Sequence, residues 1–290
     1  MQATSTTNKY IVKKANAVPA DANGICKPER IDWSLANVGS ISEMNWPQFT
    51  LDGKTITQRV SPKGSFYLIY NKGNIFCLLT TSGEEEKNPR AEATAFQDPV
   101  HLDSCMEFFL AAEMRDRLYL NIETNARGTK HVGCGRGRKE GLSPDTSVRH
   151  RLSAEEACGL YMQPAKPAQL SQPGQEAQLN QLANLGQSAQ VSQLAQPAQL
   201  DFDWGVYIQI PLAFLAQFWP SMFGVPETST SSFESSKAKL QAFYAGQILK
   251  ANFYKCGDRC RSPHFLSWCA IQSPQPDFHR PEDFGYLVLE

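Results

Sequence analysis

Two stretches decide the fold: DSCMEFFL at residues 103–110 and LYLNIETNARGTKHVGCGRGR at residues 118–138. In each, apolar residues alternate with a second set of side chains, which is the two-residue period of a β-strand. In the second stretch the apolar set is Leu118, Leu120 and Ile122. The opposite set is Tyr119, Asn121, Glu123 and Asn125. The pattern therefore predicts one face that builds core and one face that offers polar groups.

The first stretch has the same alternation. Its two sets are Met106, Phe108 and Leu110 on one side, and Cys105, Glu107 and Phe109 on the other. If the two strands pair, Glu107 stands beside Asn121 and Glu123. Carboxylates accept hydrogen bonds, and amides both donate and accept them, which suits the hydroxyl groups of a sugar. We interpret this face as a candidate carbohydrate site.

Several motifs in a fixed order carry a family resemblance. They are KYIVKK, the tryptophans Trp33 and Trp46, DSCMEFFL, YLNIETNARGT, the GRGR turn, ANFYKCGD, PHFLSW and the C-terminal PDFHRPEDFGYLVLE. Through them the chain, over roughly residues 8–290, resembles the carbohydrate-binding family 9-like proteins, which are related to sugar-binding modules appended to xylanases. The resemblance implies a β-sandwich that binds carbohydrate and is not catalytic.

Carbohydrate modules present aromatic rings, because the apolar face of a pyranose packs on a ring. The xylanase modules hold the sugar between two tryptophans, but no motif places that pair on this sequence. We expect platforms at Trp46, which precedes Pro47, and at Trp268 in the PHFLSW loop. Trp33 and Trp204 are expected to be buried because apolar residues surround them.

The glycine-rich turn GCGRGR at residues 133–138 carries two arginines. It is not a dinucleotide-binding fingerprint, because Arg138 stands where the third glycine belongs and no apolar helix follows. Either its glycines permit a close backbone approach, or Arg136 and Arg138 contact a sugar or an acidic partner. The predicted carbohydrate-binding residues are Trp46, Glu107, Tyr119, Asn121, Glu123, Asn125, Arg136, Arg138 and Trp268.

Glu107 and Glu123 also raise the question of catalysis, because a glycosidase places two carboxyl groups across the scissile bond. Carboxylates serve equally as acceptors for sugar hydroxyls, and Glu107 could instead form an ion pair with Arg127 or Arg136. Since the resemblance implies a non-catalytic protein, we predict that the chain is not an enzyme. The alternative function is that of an interaction or scaffolding protein that keeps the sandwich without a sugar site.

Composition excludes several classes of partner. The formal net charge is -1 and the isoelectric point is about 6.5, so the chain has no basic footprint for nucleic acid or for an anionic membrane. The first residues lack the pattern of a signal peptide, which favours a cytoplasmic location unless the N-terminus is truncated. We expect a carbohydrate ligand as the partner, and the sequence carries no signal for a particular oligomeric state.

The eight cysteines are interpreted mostly as thiols, because a chain of 290 residues buries a core without disulfides. The one group with metal-like clustering is Cys256, Cys260, His264 and Cys269. Packed thiols are favoured over zinc there, and a Cys256–Cys260 disulfide is the alternative for an exported protein. No cofactor is predicted: haem, which some wider relatives hold, lacks a ligand pattern, and a calcium site would need distant segments.

The rest of the chain is expected to form one domain over residues 8–290, an antiparallel β-sandwich with short peripheral helices. Strands are predicted at 9–15, 56–60 and 204–212, in FGYLVLE near the end, and in a hairpin that turns at residues 71–74. Helices are predicted at 213–223 and 234–249. Residues 163–200, rich in Gln, Ala, Pro and Leu without an aromatic residue, are predicted to be a disordered insertion within this domain.

Overall fold

Strands make up most of the computed structural model, which describes residues 8–15, 18–59, 61–84, 89–111, 117–138, 149–166, 202–224 and 240–290. In chain order, β1 to β15 are Lys9–Lys14, Gly39–Ile41, Gln48–Leu51, Lys54–Thr57, Lys63–Tyr70, Asn74–Ser82, Cys105–Ala111, Tyr119–Asn125, Lys130–Gly135, Arg149–Arg151, Tyr161–Ala165, Trp204–Pro211, Ile248–Gly257, His264–Ser267 and Gly285–Leu289. The prediction of a mainly β fold is confirmed.

The strands form two halves that meet at β1. The hydrogen-bonded order is β10-β9-β8-β7-β13-β15-β1-β5-β6-β12-β11, with β14 beside β13, β2 beside β5, and β3–β4 as a separate hairpin. Pairing is antiparallel except at β1, which runs parallel to β15 through its first residues and to β5 through its last. Because one strand serves both halves, the sheet curls there and its halves face each other as a sandwich.

The main core lies between these halves. The rings of Phe66 on β5 and Phe253 on β13 stack with centroids 3.8 Å apart, and Phe253 stacks in turn on Phe108 of β7 at 4.6 Å. The apolar sets predicted from alternation, including Met106, Leu110, Leu120 and Ile122, are fully buried in this core. The two-residue period therefore predicts correctly which side of β7 and β8 faces inward.

The opposite face of β7, β8 and β13 is covered instead of open. The β3–β4 hairpin, strand β14 and the loops before β3, before β7 and between β14 and β15 place a second apolar cluster over it. This cluster includes Trp46, Phe49, Phe265, Ile271, Phe278 and Phe284. The sequence pattern predicts a face that offers polar groups, and the structure covers that face with an apolar layer. Alternation reveals which side chains share a face but not whether loops later cover them.

The helix predictions hold only in part. Within 213–223 the structure has a short α-helix at Leu212–Leu215 and one 3-10 turn at Ser221–Phe223. Within 234–249, residues 234–239 lie outside the described part, 240–247 form no helix, and 248–249 open β13. The helix predicted over 234–249 fails at its C-terminal end because Leu249 and Ala251 are buried as alternate residues of a strand between β7 and β15.

The predicted hairpin at residues 71–74 is confirmed: Asn71 Oδ1 accepts hydrogen bonds from the backbone N–H groups of Gly73 and Asn74. The predicted strand at 56–60 lies earlier, at Lys54–Thr57. The predicted insertion begins later than expected, because residues 163–165 belong to β11 and pair with β12. Residues 167–200 of that insertion lie outside the described residues. Within the described chain, no helix is long and apolar enough to span a bilayer.

Candidate functional site

A cavity opens within the covered face of β7, β8, β9 and β13. Its volume is about 640 Å³ including the mouth. Strands β7 and β8 supply a floor of two carboxylates, β10 and the turn after β9 each supply an arginine, the loops after β13 and β14 supply the carboxylates of Asp258 and Asp277, and β14 with the loop that follows it supplies aromatic rings. The cavity-lining side chains used below are Glu107, Glu123, Arg138, Arg151, Cys256, Asp258, Phe265, Phe278 and His279.

Glu107 and Glu123 form the floor. They lie directly opposite each other in the register of β7 and β8, and each side chain is 3% exposed. The amide of Asn121 donates a 2.7 Å hydrogen bond to Glu123 Oε1, and the thiol of Cys256 donates one of 3.0 Å to Glu107 Oε1. The two carboxylates are therefore held in place as acceptors that face the cavity.

Asp258 completes the acceptor set from the segment that follows β13. Burial raises the pKa of its carboxyl to about 7, with Arg138 and Arg259 opposing this shift and Glu123 and Asp52 adding to it. Its Oδ1 atom is buried and has no hydrogen-bond partner. An unpaired buried carboxylate oxygen costs free energy unless a ligand or a water satisfies it. Because Asp258 lines the cavity, a donor group of a ligand satisfies this oxygen once the side chain turns toward the cavity.

Arg138 stands at the mouth of the cavity and is exposed. Its Nη1 donates a 3.1 Å hydrogen bond to the carbonyl oxygen of Pro276, which ties the glycine-rich turn to the loop before β15. Arg151 lines the same cavity from β10. Two guanidinium groups thus balance part of the negative charge of the floor.

Aromatic rings form one wall. Phe278 stacks on Tyr254 with centroids 4.1 Å apart and planes 12° apart, and Phe265 meets Phe278 edge-on at 6.0 Å. Beside them, the Tyr119 hydroxyl and His279 Nδ1 are hydrogen-bonded at 2.7 Å. Tyr119 is itself fully buried, so within this site it positions His279 and does not line the cavity.

The structure brings three of the nine predicted site residues to the cavity: Glu107, Glu123 and Arg138. Asn121 and Tyr119 do not line the cavity, but each is hydrogen-bonded to a residue that does: Asn121 to Glu123, and Tyr119 to His279. Asn125 does not take part, because it is fully buried and organises a turn: its amide donates to Ala93 O and Asp103 Oδ2, and its Oδ1 accepts from two backbone N–H groups. Arg136 is exposed on the same turn as Arg138 but does not line the cavity.

Neither predicted tryptophan platform offers a free ring face. Trp46 is 3% exposed, its indole N–H donates to Ser273 O, and its ring packs behind Phe278 and Phe265. Trp268 is buried in the main core, 5.3 Å from the ring of Phe66. The sequence did contain the rings that line the cavity, since Phe265 and Phe278 occur in PHFLSW and PDFHRPEDF. The prediction chose tryptophans as platforms and therefore missed these two phenylalanines.

The grouping of Cys256, Cys260, His264 and Cys269 is not brought together. His264 lies on the core side, where its Nε2 accepts from the buried ammonium of Lys255 at 2.8 Å, and Cys269 belongs to the main core. Cys256 lies on the cavity side. All eight cysteines are free thiols in the structure, as the sequence predicts.

One solved structure shares the architecture. A crystal structure of a "putative carbohydrate-binding protein" from Bacteroides uniformis ATCC 8492 aligns with a TM-score of 0.62 and 22% identity, covering 98% of this chain and 100% of that one. Two structures of a family 9 carbohydrate-binding module from Caldicellulosiruptor kristjanssonii, in complex with glucose and with cellotriose, align at 0.47 and 0.48 with 10% and 9% identity. They cover 98% of this chain and 96% and 94% of the module.

No curated protein sequence matches the chain. The sequence model of the family described as "Carbohydrate-binding family 9" matches residues 26–165 and 233–289. The matched segments contain the strands and loops that build the cavity floor, its arginine-bearing turn and its aromatic wall. Because they span well over half of the sequence, the chain belongs to carbohydrate-binding family 9.

Proposed function

We propose that the cavity binds a carbohydrate fragment and does not cleave it. The observation that carries this proposal is the buried, unpartnered Oδ1 of Asp258, in a cavity whose floor holds two more carboxylates. A ligand that fits must bring several hydrogen-bond donors without bringing negative charge. A sugar, with hydroxyl groups around its ring, meets that requirement, and membership of the family supports it.

Each kind of side chain that lines the cavity matches a chemical group of a sugar. Hydroxyl groups donate to Glu123 and Asp258, and the guanidinium of Arg138 donates to hydroxyl or ring oxygens. C–H groups of the sugar contact the cavity-facing parts of Phe278 and Phe265, which are 8% and 7% exposed, so phenylalanine supplies the apolar wall here. Most of the 640 Å³ is the open mouth, and the enclosed part is about 110 Å³, below the usual range of about 300 to 1,000 Å³ for small-ligand sites. The cavity therefore suits one terminal sugar, with the rest of a longer ligand outside the mouth.

The placement of Glu107 and Glu123 argues against hydrolysis. As directly opposed residues of neighbouring strands, both reach the ligand from the same floor. A glycosidase instead needs its two carboxyl groups to flank the scissile bond. In addition, Glu107 is engaged by the thiol of Cys256 and Glu123 by the amide of Asn121. These carboxylates are better arranged to accept hydrogen bonds than to transfer protons.

A second candidate function is that of an interaction module that keeps the fold without binding sugar. The observation that favours it is the apolar cover over the outer face, which buries Trp46, one of the two predicted tryptophan platforms. In this alternative, the cavity is a packing feature of the family.

Calorimetry with xylo-, cello- and manno-oligosaccharides distinguishes the two. We expect the wild type to bind at least one of them. Glu123→Gln and Arg138→Ala should each weaken binding about 5-fold to 150-fold, because losing a hydrogen bond to a ligand costs about 1 to 3 kcal/mol. Arg136→Ala is the matched control, since it removes an exposed arginine of the same turn that does not line the cavity.

Three outcomes would contradict the proposal. If wild type binds and neither cavity substitution weakens binding, the site lies elsewhere. If no oligosaccharide binds, the interaction module is the better account. If product sugars accumulate during incubation and Glu107→Gln abolishes them, the chain is a hydrolase.

A further inference from the structure

A second chemical feature lies at one side of the cavity floor. The ligand atoms of Cys105, Glu107 and Cys256 all lie within 4.8 Å of one another, and all three residues are buried. Among the residues that the structure describes, this is the one such group of three or more His, Cys, Asp or Glu side chains. We propose that it is a binding site for a thiophilic divalent metal ion such as Zn²⁺.

Strand geometry produces the convergence. Cys105 and Glu107 are two residues apart on β7 and therefore share a face. Cys256 lies directly opposite Cys105 on β13, so its side chain emerges from the same face. The three ligands therefore lie on two neighbouring strands, two of them on β7 and one on β13.

The donor set selects the metal. Two thiols and one carboxylate are ligands for Zn²⁺ and similar ions, whereas Ca²⁺ and Mg²⁺ require oxygen ligands. Zinc–sulfur bonds are about 2.3 Å long, so two thiolates at a tetrahedral ion lie about 3.8 Å apart. The ligand atoms already lie within 4.8 Å of one another, which is close to that spacing.

The cavity supplies access and an open position. Glu107 and Cys256 also line it, so an ion held by the three residues faces the cavity on one side. Three protein ligands leave the fourth position of a tetrahedral ion for water or another small ligand. As the ion binds, each thiol releases its proton to solvent. Two thiolates and one carboxylate leave the site with a net charge of -1, beside Arg138 and Arg151 at the same cavity.

The test is a titration of the metal-stripped full chain, with any affinity tag removed, using Co²⁺ alone. We expect one ion per chain, with the intense visible bands of tetrahedral cobalt and the ultraviolet charge-transfer band of a cobalt thiolate. Cys105→Ser and Cys256→Ser should each weaken binding by at least about 10-fold, because even changes outside the ligand shell cost that much. Cys158→Ser, at an exposed cysteine, is the matched control and should bind as the wild type does.

X-ray absorption of the zinc-loaded wild type gives a second readout that needs no variant. The expected shell has two sulfur atoms at about 2.3 Å and oxygen or nitrogen atoms at about 2.0 to 2.2 Å. A shell without sulfur, failure to bind either metal, or unchanged cobalt binding in folded Cys105→Ser and Cys256→Ser variants would overturn the proposal. Because no sugar is present, these outcomes are independent of the carbohydrate proposal.

Discussion

At the scale of single residues, Asp258 combines a structural cost with the proposed function. Its carboxyl is largely buried, has one oxygen without a partner, and has a pKa raised to about 7. A position optimised for stability alone would pair this oxygen or replace the residue. Retaining an unsatisfied acceptor inside a cavity is typical of a site where the missing partner is a ligand.

The raised pKa predicts how stability depends on pH. The unfolded carboxyl titrates near pH 4 and the folded one near 7, so the folded state holds the proton more tightly. The contribution of the protonated Asp258 carboxyl to the free energy of unfolding is complete below about pH 4 and is lost as the pH rises through 7. Asp258→Asn cannot ionise, so it should gain at least about 1 kcal/mol over wild type between pH 4 and 8.

Urea unfolding across this pH range measures the difference. Asp32→Asn is the control, because Asp32 is exposed and asparagine caps the following 3-10 turn equally well. If the free-energy difference between Asp258→Asn and wild type stays constant from pH 4 to 8, the carboxyl of Asp258 is not buried as the structure has it. The same substitution should weaken sugar binding, since it removes a proposed acceptor.

Some residues at the cavity were predictable from the sequence, and the burial of others was not. Glu107, Glu123 and Arg138 were predictable, because alternation and a glycine-rich turn place polar side chains on one side of the sheet. Trp46 was not, because whether its ring is exposed depends on Phe265 and Phe278, which approach from more than 200 residues along the chain. Tertiary packing decides such burial, and no local pattern encodes it.

At the scale of elements, the pairing of β7 with β8 is the part of the fold most fully predictable from sequence. A register shift of one residue would turn Glu107 and Glu123 into the main core, so the apolar sets specify the pairing. Strand β13 was less predictable, because Leu240, Phe243, Tyr244 and Ile248 occur at helical spacing just before and at its start. In the structure only Ile248 belongs to β13, which pairs with β7 and β15, and the other three residues precede the strand. The four side chains therefore do not share one helical face.

The ends of β11 and β12 predict the effect of removing the glutamine-rich segment. These strands are antiparallel neighbours, with Ala165 opposite Gly205, so the chain ends they leave are close together. A hairpin connection needs only a few residues. Deleting residues 171–196 should therefore leave the folded core intact, since they also contain no aromatic residue to pack.

Melting temperature of the deletion variant measures this expectation. A decrease of less than about 8 °C is predicted, which corresponds to less than roughly 2 to 4 kcal/mol for a domain of this size. A larger decrease would mean that the segment packs against the sandwich. A second deletion that removes β11 as well, residues 161–196, is the comparison and should destabilise the protein strongly, because β12 then loses one of its two neighbouring strands.

At the scale of the whole molecule, the sandwich serves to hold one covered face rigid. The main core fixes β7, β8 and β13 from inside, and three loop regions cover their outer side except at the cavity. Ligand-facing side chains on strands move less than those on loops, which favours a preformed site. The account therefore expects binding with little change of backbone, as in other preorganised complexes.

The most direct test of the central claim is a crystal structure of the wild type with an oligosaccharide that calorimetry shows to bind. The account predicts density for a sugar at the cavity, with a hydroxyl group within hydrogen-bond distance of the Asp258 carboxyl, another at Glu123, and C–H groups against Phe278. A sugar bound at any other surface, with the cavity holding only water, would contradict it.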